Sequence, residues 1–119
     1  MVAPGTSAAN PAPNNANTSA ITNNETTTIA LATVLQEKGL GGKITHVGFD
    51  ATNQTVGYLA DGTTVAIVTQ VPFNMGYMAV EKAIAAYNGE ELDPVYDTGV
   101  ALVTPDNINT DEIQAIVNP

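Results

Sequence analysis

Short apolar segments alternate with helical patterns along most of this chain, and that alternation restricts the fold more than any single motif does. Ala20-Ile21-Thr22, Ile44–Phe49, Thr64–Thr69 and Val100–Thr104 read as strands. Between the first two, Glu25 to Lys38 places Ile29, Ala32 and Leu35 on one face, with Leu31 and Val34 beside them, as a 3.6-residue period requires. Asn23 or Asn24 caps its start, Lys38 suits its last turn, and Gly39 takes the left-handed stop position. Asn53 to Ala60 forms a shorter helix ended by Asp61-Gly62. Asn74 to Tyr87 forms a longer one, with Met75, Met78, Ala79, Ala83 and Ala86 on one face, stopped by Asn88-Gly89. Pro105 breaks the last strand, and Thr110 to Val117 forms a terminal helix capped by Thr110. Strands joined by helical crossovers through short loops predict an α/β fold: a parallel sheet with flanking helices. The Thr64–Thr69 run hardly alternates, as expected of a strand covered on both faces.

The 119 residues hold one domain at most, and with 13% charged and 44% hydrophobic residues most of the chain is able to bury a core. Residues 1–19 are the exception. Built almost wholly of Ala, Asn, Pro, Ser, Thr and Gly, they lack the large apolar side chains that offset the entropy of ordering, and they read as a disordered tail or linker. The part able to fold then runs from 20 to 119.

Charge and cysteine content exclude several classes of function. Three basic residues against twelve acidic ones cannot neutralise phosphates, so neither nucleic acid nor an anionic membrane surface is an expected partner. The absence of cysteine rules out disulfides and thiolate metal sites, and a lone His46 with scattered carboxylates has no metal-ligand spacing. No metal or cofactor is expected. No apolar run approaches the roughly 20 residues of a spanning helix. Met1 to Asn10 lack the basic start and apolar stretch of a signal peptide, so the signal of an exported parent would lie outside this sequence.

In open α/β sheets, ligands bind beyond the carboxyl ends of the strands. The residues there are Asn23 after the first strand, Asp50 after the second and Gln70 after the third. Amides and a carboxylate at one rim suit a neutral polyhydroxyl ligand, whose hydroxyls need both donors and acceptors. Each also has a plain structural reading: Asn23 as a helix cap, Asp50 as the cap of the short helix, Gln70 as an exposed loop residue. Their recurrence at three successive strand ends favours a site.

Other candidates read as structure. His46 lies mid-strand with no Ser or Cys nucleophile in a recognisable constellation, and is expected to be a packed or edge residue. Met75, Tyr77 and Met78 read as core and rim, and Glu90-Glu91-Asp93 as a solvated loop. Gly39-Leu40-Gly41-Gly42 follows a helix, whereas phosphate loops follow a strand. Paired hydrolytic carboxylates are absent. No enzymatic activity is expected.

Thr22-Asn23-Asn24-Glu25, Gly48-Phe49-Asp50 and Gln70-Val71-Pro72-Phe73-Asn74-Met75-Gly76-Tyr77 are similar in order and spacing to ribose-type periplasmic sugar-binding proteins, the solute receptors of bacterial ABC transporters. The ending, Asp97-Thr98-Gly99-Val100 through Thr104-Pro105-Asp106-Asn107 to Asn118-Pro119, also resembles that family. The resemblance implies an incomplete Rossmann-like lobe of a type 1 periplasmic binding protein, corresponding to part of the C-terminal lobe. Asn23, Asp50 and Gln70 would hydrogen-bond a monosaccharide held between two lobes, and the segment around Thr98 to Thr104 would be a hinge strand. It also implies an ABC permease as partner of the parent protein and a periplasmic or extracellular location. The sugar-stacking aromatic residues and an arginine of the family have no counterpart here. Binding by this half of a cleft is therefore expected to be weak or absent, and an uncovered sheet edge to invite pairing with a second copy.

Two other readings share the fold. The effector-binding part of a LacI-type repressor would require a basic helix-turn-helix ahead of the lobe, which the Asn/Pro-rich start does not supply. A folded fragment without retained binding would give no response to sugars.

Overall fold

The computed structural model describes residues 18–118. Its elements run β1 (Ser19–Ile21), α1 (Glu25–Glu37), β2 (Thr45–Phe49), α2 (Asn53–Ala60), β3 (Ala66–Gln70), α3 (Pro72–Tyr87), β4 (Val100–Val103) and α4 (Asp111–Val117). The expected tail lies outside the described residues as far as residue 17. Ser19 already belongs to β1, and the Thr18 carbonyl accepts from the Thr45 amide at 3.0 Å.

Local chemistry sets the helix ends. Asn24 caps α1, its side chain accepting from the Thr27 amide, and Gly39 follows at φ +63°. Thr52 caps α2 in a reciprocal box with Thr55. Pro72 opens α3 within its first turn, where a missing N–H costs nothing. That helix therefore starts before Asn74. β3 begins later than Thr64 because the Thr64 amide turns back to the Tyr58 carbonyl, closing the end of α2.

The sheet order is β1-β2-β3-β4. β1 pairs with β2, and β2 with β3, in parallel, but β4 pairs with β3 antiparallel, with Gln70 opposite Val100. A wholly parallel sheet requires the crossover after β3 to pack back along the sheet. Instead, α3 buries none of its residues, and the chain returns at the end of the sheet where it left. The last strand must then run the other way.

Burial is heavier on one side of the sheet. On one sheet face, Ile67 and Val103 pack with Leu59 of α2 and Ile113 of α4, while Gly48 faces α1 at Thr28. The alternate positions form the other face, on which Ile21, Val100 and Leu102 are exposed, Val47, Phe49 and Val68 half-buried and Ala66 buried. Among the described residues no helix covers that face, yet Ala66 of β3 is buried on it and Val68 half-buried, so the expectation of a strand covered on both faces is met in part. α3 corrects a second expectation. Of the face formed by Met75, Met78, Ala79, Ala83 and Ala86 only Met78 is partly covered, with Lys82 and Ala85 beside it, while Phe73, Tyr77, Val80, Ile84 and Tyr87 are exposed. Its contacts include the following loop: Lys82 Nζ lies 4.9 Å from the Tyr96 ring centre, and Asn74 Nδ2 donates to the Thr98 carbonyl. No helix of the described residues is long and apolar enough to cross a membrane.

Candidate functional site

β1, β2 and β3 are adjacent and parallel, so their carboxyl ends share one rim. Asn23 lies two residues beyond β1, Asp50 directly follows β2, and Gln70 is the last residue of β3 rather than the first beyond it. The structure thus brings the three strand-end residues to the same end of the sheet.

The capping role at α1 falls to Asn24, which leaves the Asn23 side chain exposed at the rim. Asp50 is not the cap of α2 either, since Thr52 is. Its backbone instead adopts φ +65°, the single non-glycine residue in the left-handed region among those described. Such a backbone costs an ordinary L-residue about 1–2 kcal/mol, less for Asp or Asn. Two bonds hold it there: the Asp50 amide donates to the Val68 carbonyl at 2.9 Å, and Thr55 Oγ1 donates to the Asp50 carbonyl at 2.7 Å. The turn aims the Asp50 carboxylate across to α1, where Oδ2 accepts from the Glu25 amide at 3.3 Å. A carboxylate on the first turn of a helix is favoured by its unpaired N–H groups. Gln70 remains exposed beside Val100.

His46 lies beneath this rim, fully buried. Nε2 lies 3.0 Å from Thr22 Oγ1, and Nδ1 lies 3.1 Å from Thr64 Oγ1. Both ring nitrogens are satisfied by neutral hydroxyls, so the histidine is packed, as its mid-strand position predicts. Sequence reading did not single out Thr22, Thr28, Thr55 or Thr64. The available signal was Thr28, which falls on the buried helical face with Ala32 and Leu35.

Burial lowers the His46 pKa from its ordinary value of 6.5. The unfolded chain then takes up a proton near that pH, while the folded chain stays neutral until a lower one. Stability from this group is fully present above pH 6.5 and falls as the pH drops from there towards the folded pKa. Urea midpoints at pH 7.5 and 5.5 should therefore differ, with the lower value in acid, and His46→Gln should flatten the difference.

Among the described residues no group of His, Cys, Asp or Glu side chains is arranged to hold a metal ion. The rim offers amide donors and acceptors with one carboxylate, a set suited to ligand hydroxyls.

A family model described as a periplasmic binding protein domain matches residues 7–91. A comparison with curated proteins finds no match. Among solved structures, the chain is similar to an ABC transporter solute binding protein from Agrobacterium vitis with bound D-fucose. The TM-score is 0.79 at 29% identity, covering 84% of this chain and 34% of that one. It is also similar to a carbohydrate transporter solute binding protein from Agrobacterium radiobacter in complex with D-arabinose, with TM-score 0.79, 31% identity, and 85% and 34% coverage. A second Agrobacterium vitis solute binding protein, bound with α-D-tagatopyranose, has TM-score 0.80 over 85% of this chain and 34% of that one; at 24% identity it speaks for the fold alone. The chain spans 34% of the length of each of these three relatives.

Proposed function

The chain belongs to the periplasmic binding protein domain family, and from that premise we propose that it forms part of the sugar-binding component of a bacterial ABC transporter. Asn23, Asp50 and Gln70 are the groups that hydrogen-bond a monosaccharide. The observation that carries this reading is their convergence at the carboxyl ends of three adjacent parallel strands, with Asn23 released from capping by Asn24. No bond in the sugar is broken.

The parent protein closes two lobes on its ligand, works with an ABC permease and resides in the periplasm. Three features support a two-lobed parent. The chain leaves the sheet at Gln70 and re-enters at Val100, and these two residues pair directly, as two hinge strands side by side would. Among the described residues α3 carries an exposed apolar stripe, and one apolar face of the sheet has no helix on it. Both suit packing against further parts of a longer protein.

Water competes for every hydrogen bond of an open half-site, so affinity in this chain is near the millimolar range, about 4 kcal/mol of binding free energy. Titration of isotope-labelled protein with D-fucose, D-arabinose and D-tagatose, followed by amide shifts, tests the proposal. Saturable shifts at Asn23, Asp50 and Gln70 with at least one sugar are expected. A folded protein with no such shifts rejects retained binding. Among the described residues no strand pairs with the outer edges of β1 and β4, which suits pairing with a second copy, and line widths that do not rise with protein concentration in the same samples would reject self-pairing.

A further inference from the structure

Thr28 is a polar residue at a fully buried helix position, where an aliphatic side chain would serve packing equally well. Its Oγ1 lies 2.8 Å from the Asn24 carbonyl, 2.8 Å from the Phe49 amide, 3.2 Å from the Phe49 carbonyl and 2.8 Å from Thr22 Oγ1. One oxygen therefore touches both sides of the Asn23 turn and the peptide that precedes Asp50. A hydroxyl has one proton and two lone pairs. The donor count closes when Thr28 donates to the Asn24 carbonyl and accepts from the Phe49 N–H and the Thr22 hydroxyl. Thr22, having donated to Thr28, accepts from His46 Nε2–H, and His46 Nδ1 accepts from the Thr64 hydroxyl. Each donor along this path is used once, and among the described residues no buried side-chain polar atom lacks a partner.

The fit is also steric. Gly48 packs against Thr28, and a Cβ on Gly48 would come within 2.6 Å of Thr28 Cγ2. The threonine methyl thus occupies the space over Gly48 and turns the hydroxyl towards Phe49.

We propose that Thr28 is a positioning residue that fixes Asn23 and Asp50 relative to one another for ligand hydroxyls, with Thr22, His46 and Thr64 holding its hydroxyl in one orientation. It touches no ligand. Its effect on ligand affinity rests on the sugar-binding reading; its effect on the two turns does not.

Thr28→Val removes the hydroxyl and keeps the shape, whereas Thr28→Ser keeps the hydroxyl. Amide exchange in the ligand-free chain reads the turns directly. In Thr28→Val, protection at Phe49 and Glu25 should fall about tenfold relative to Ile67, the loss expected for one buried hydrogen bond of about 1.4 kcal/mol. Thr28→Ser should restore it. D-arabinose shifts at Asn23 and Asp50 should need about tenfold more sugar in the valine variant and return towards wild type with serine. A uniform loss of protection that includes Ile67, or no change at Phe49 and Glu25, overturns the positioning role. If the wild type shows no sugar response while these amides respond as expected, the sugar reading fails and the positioning of the turns stands. Should the valine variant not fold, the wild-type hydroxyl proton decides. Slow exchange with a nuclear Overhauser contact to the Phe49 amide supports the proposal, and free exchange with water overturns it.

Discussion

Ile67→Ala is expected to abolish most of the cooperative unfolding transition of this chain. Ile67 is fully buried between Leu59, Val103 and Ile113, so it joins β3 to α2, β4 and α4 at once. Truncation of such a side chain costs about 2–5 kcal/mol, because lost burial and an unfilled cavity add. Typical domains hold about 5–15 kcal/mol in total. Among the described residues helices pack on one face of the sheet only, which places the chain at the low end of that range. Urea unfolding followed by circular dichroism should show a folded baseline in the wild type and little or none in the variant. Ile21→Ala gives the contrast: Ile21 is 79% exposed on the uncovered face and should change stability by no more than about 0.5 kcal/mol. Equal losses at the two positions would mean that the uncovered face is packed against something in solution, and the one-sided core would be refuted.

The contrast between Ile67 and Ile21 marks where sequence reading succeeds. Local chemistry writes local structure: the bounds of α2, the glycine stops at Gly39 and Gly89 and the Thr110 cap all follow from neighbouring residues. The rim was legible for the same reason, since a strand end is visible in the apolar pattern. What escaped depends on distant chain. Val68 has the same apolar character whether one face of its strand is covered or two. The direction of β4 depends on where α3 packs, and the residues of α3 look equally suited to this sheet or to another surface. Thr28 and Thr22 escaped for a third reason. A buried threonine is identified by the groups that reach its hydroxyl, and those lie 21 residues away at Phe49 and 24 residues apart between Thr22 and His46.

Asp50→Asn is expected to remove sugar binding while leaving the fold in place. Alanine would confuse the result, because the φ of +65° penalises a residue that cannot bond its own turn. Asparagine tolerates that region nearly as well as aspartate, and its amide oxygen remains able to accept from the Glu25 amide. What it loses is charge and one acceptor, since its second terminal atom becomes a donor. A hydrogen bond to an ionised group contributes about 1.5–3 kcal/mol, against roughly 1 kcal/mol for a neutral pair. Where two sugar hydroxyls both donate to the carboxylate, the amide keeps one and opposes the other. The expected result is an affinity at least tenfold weaker, or about 1.4 kcal/mol, which for the proposed millimolar half-site means that the shifts vanish. Circular dichroism and the urea midpoint should stay close to wild type. Unchanged sugar shifts in Asp50→Asn would exclude the carboxylate from the contact, and the rim would then have to bind through Asn23 and Gln70 alone.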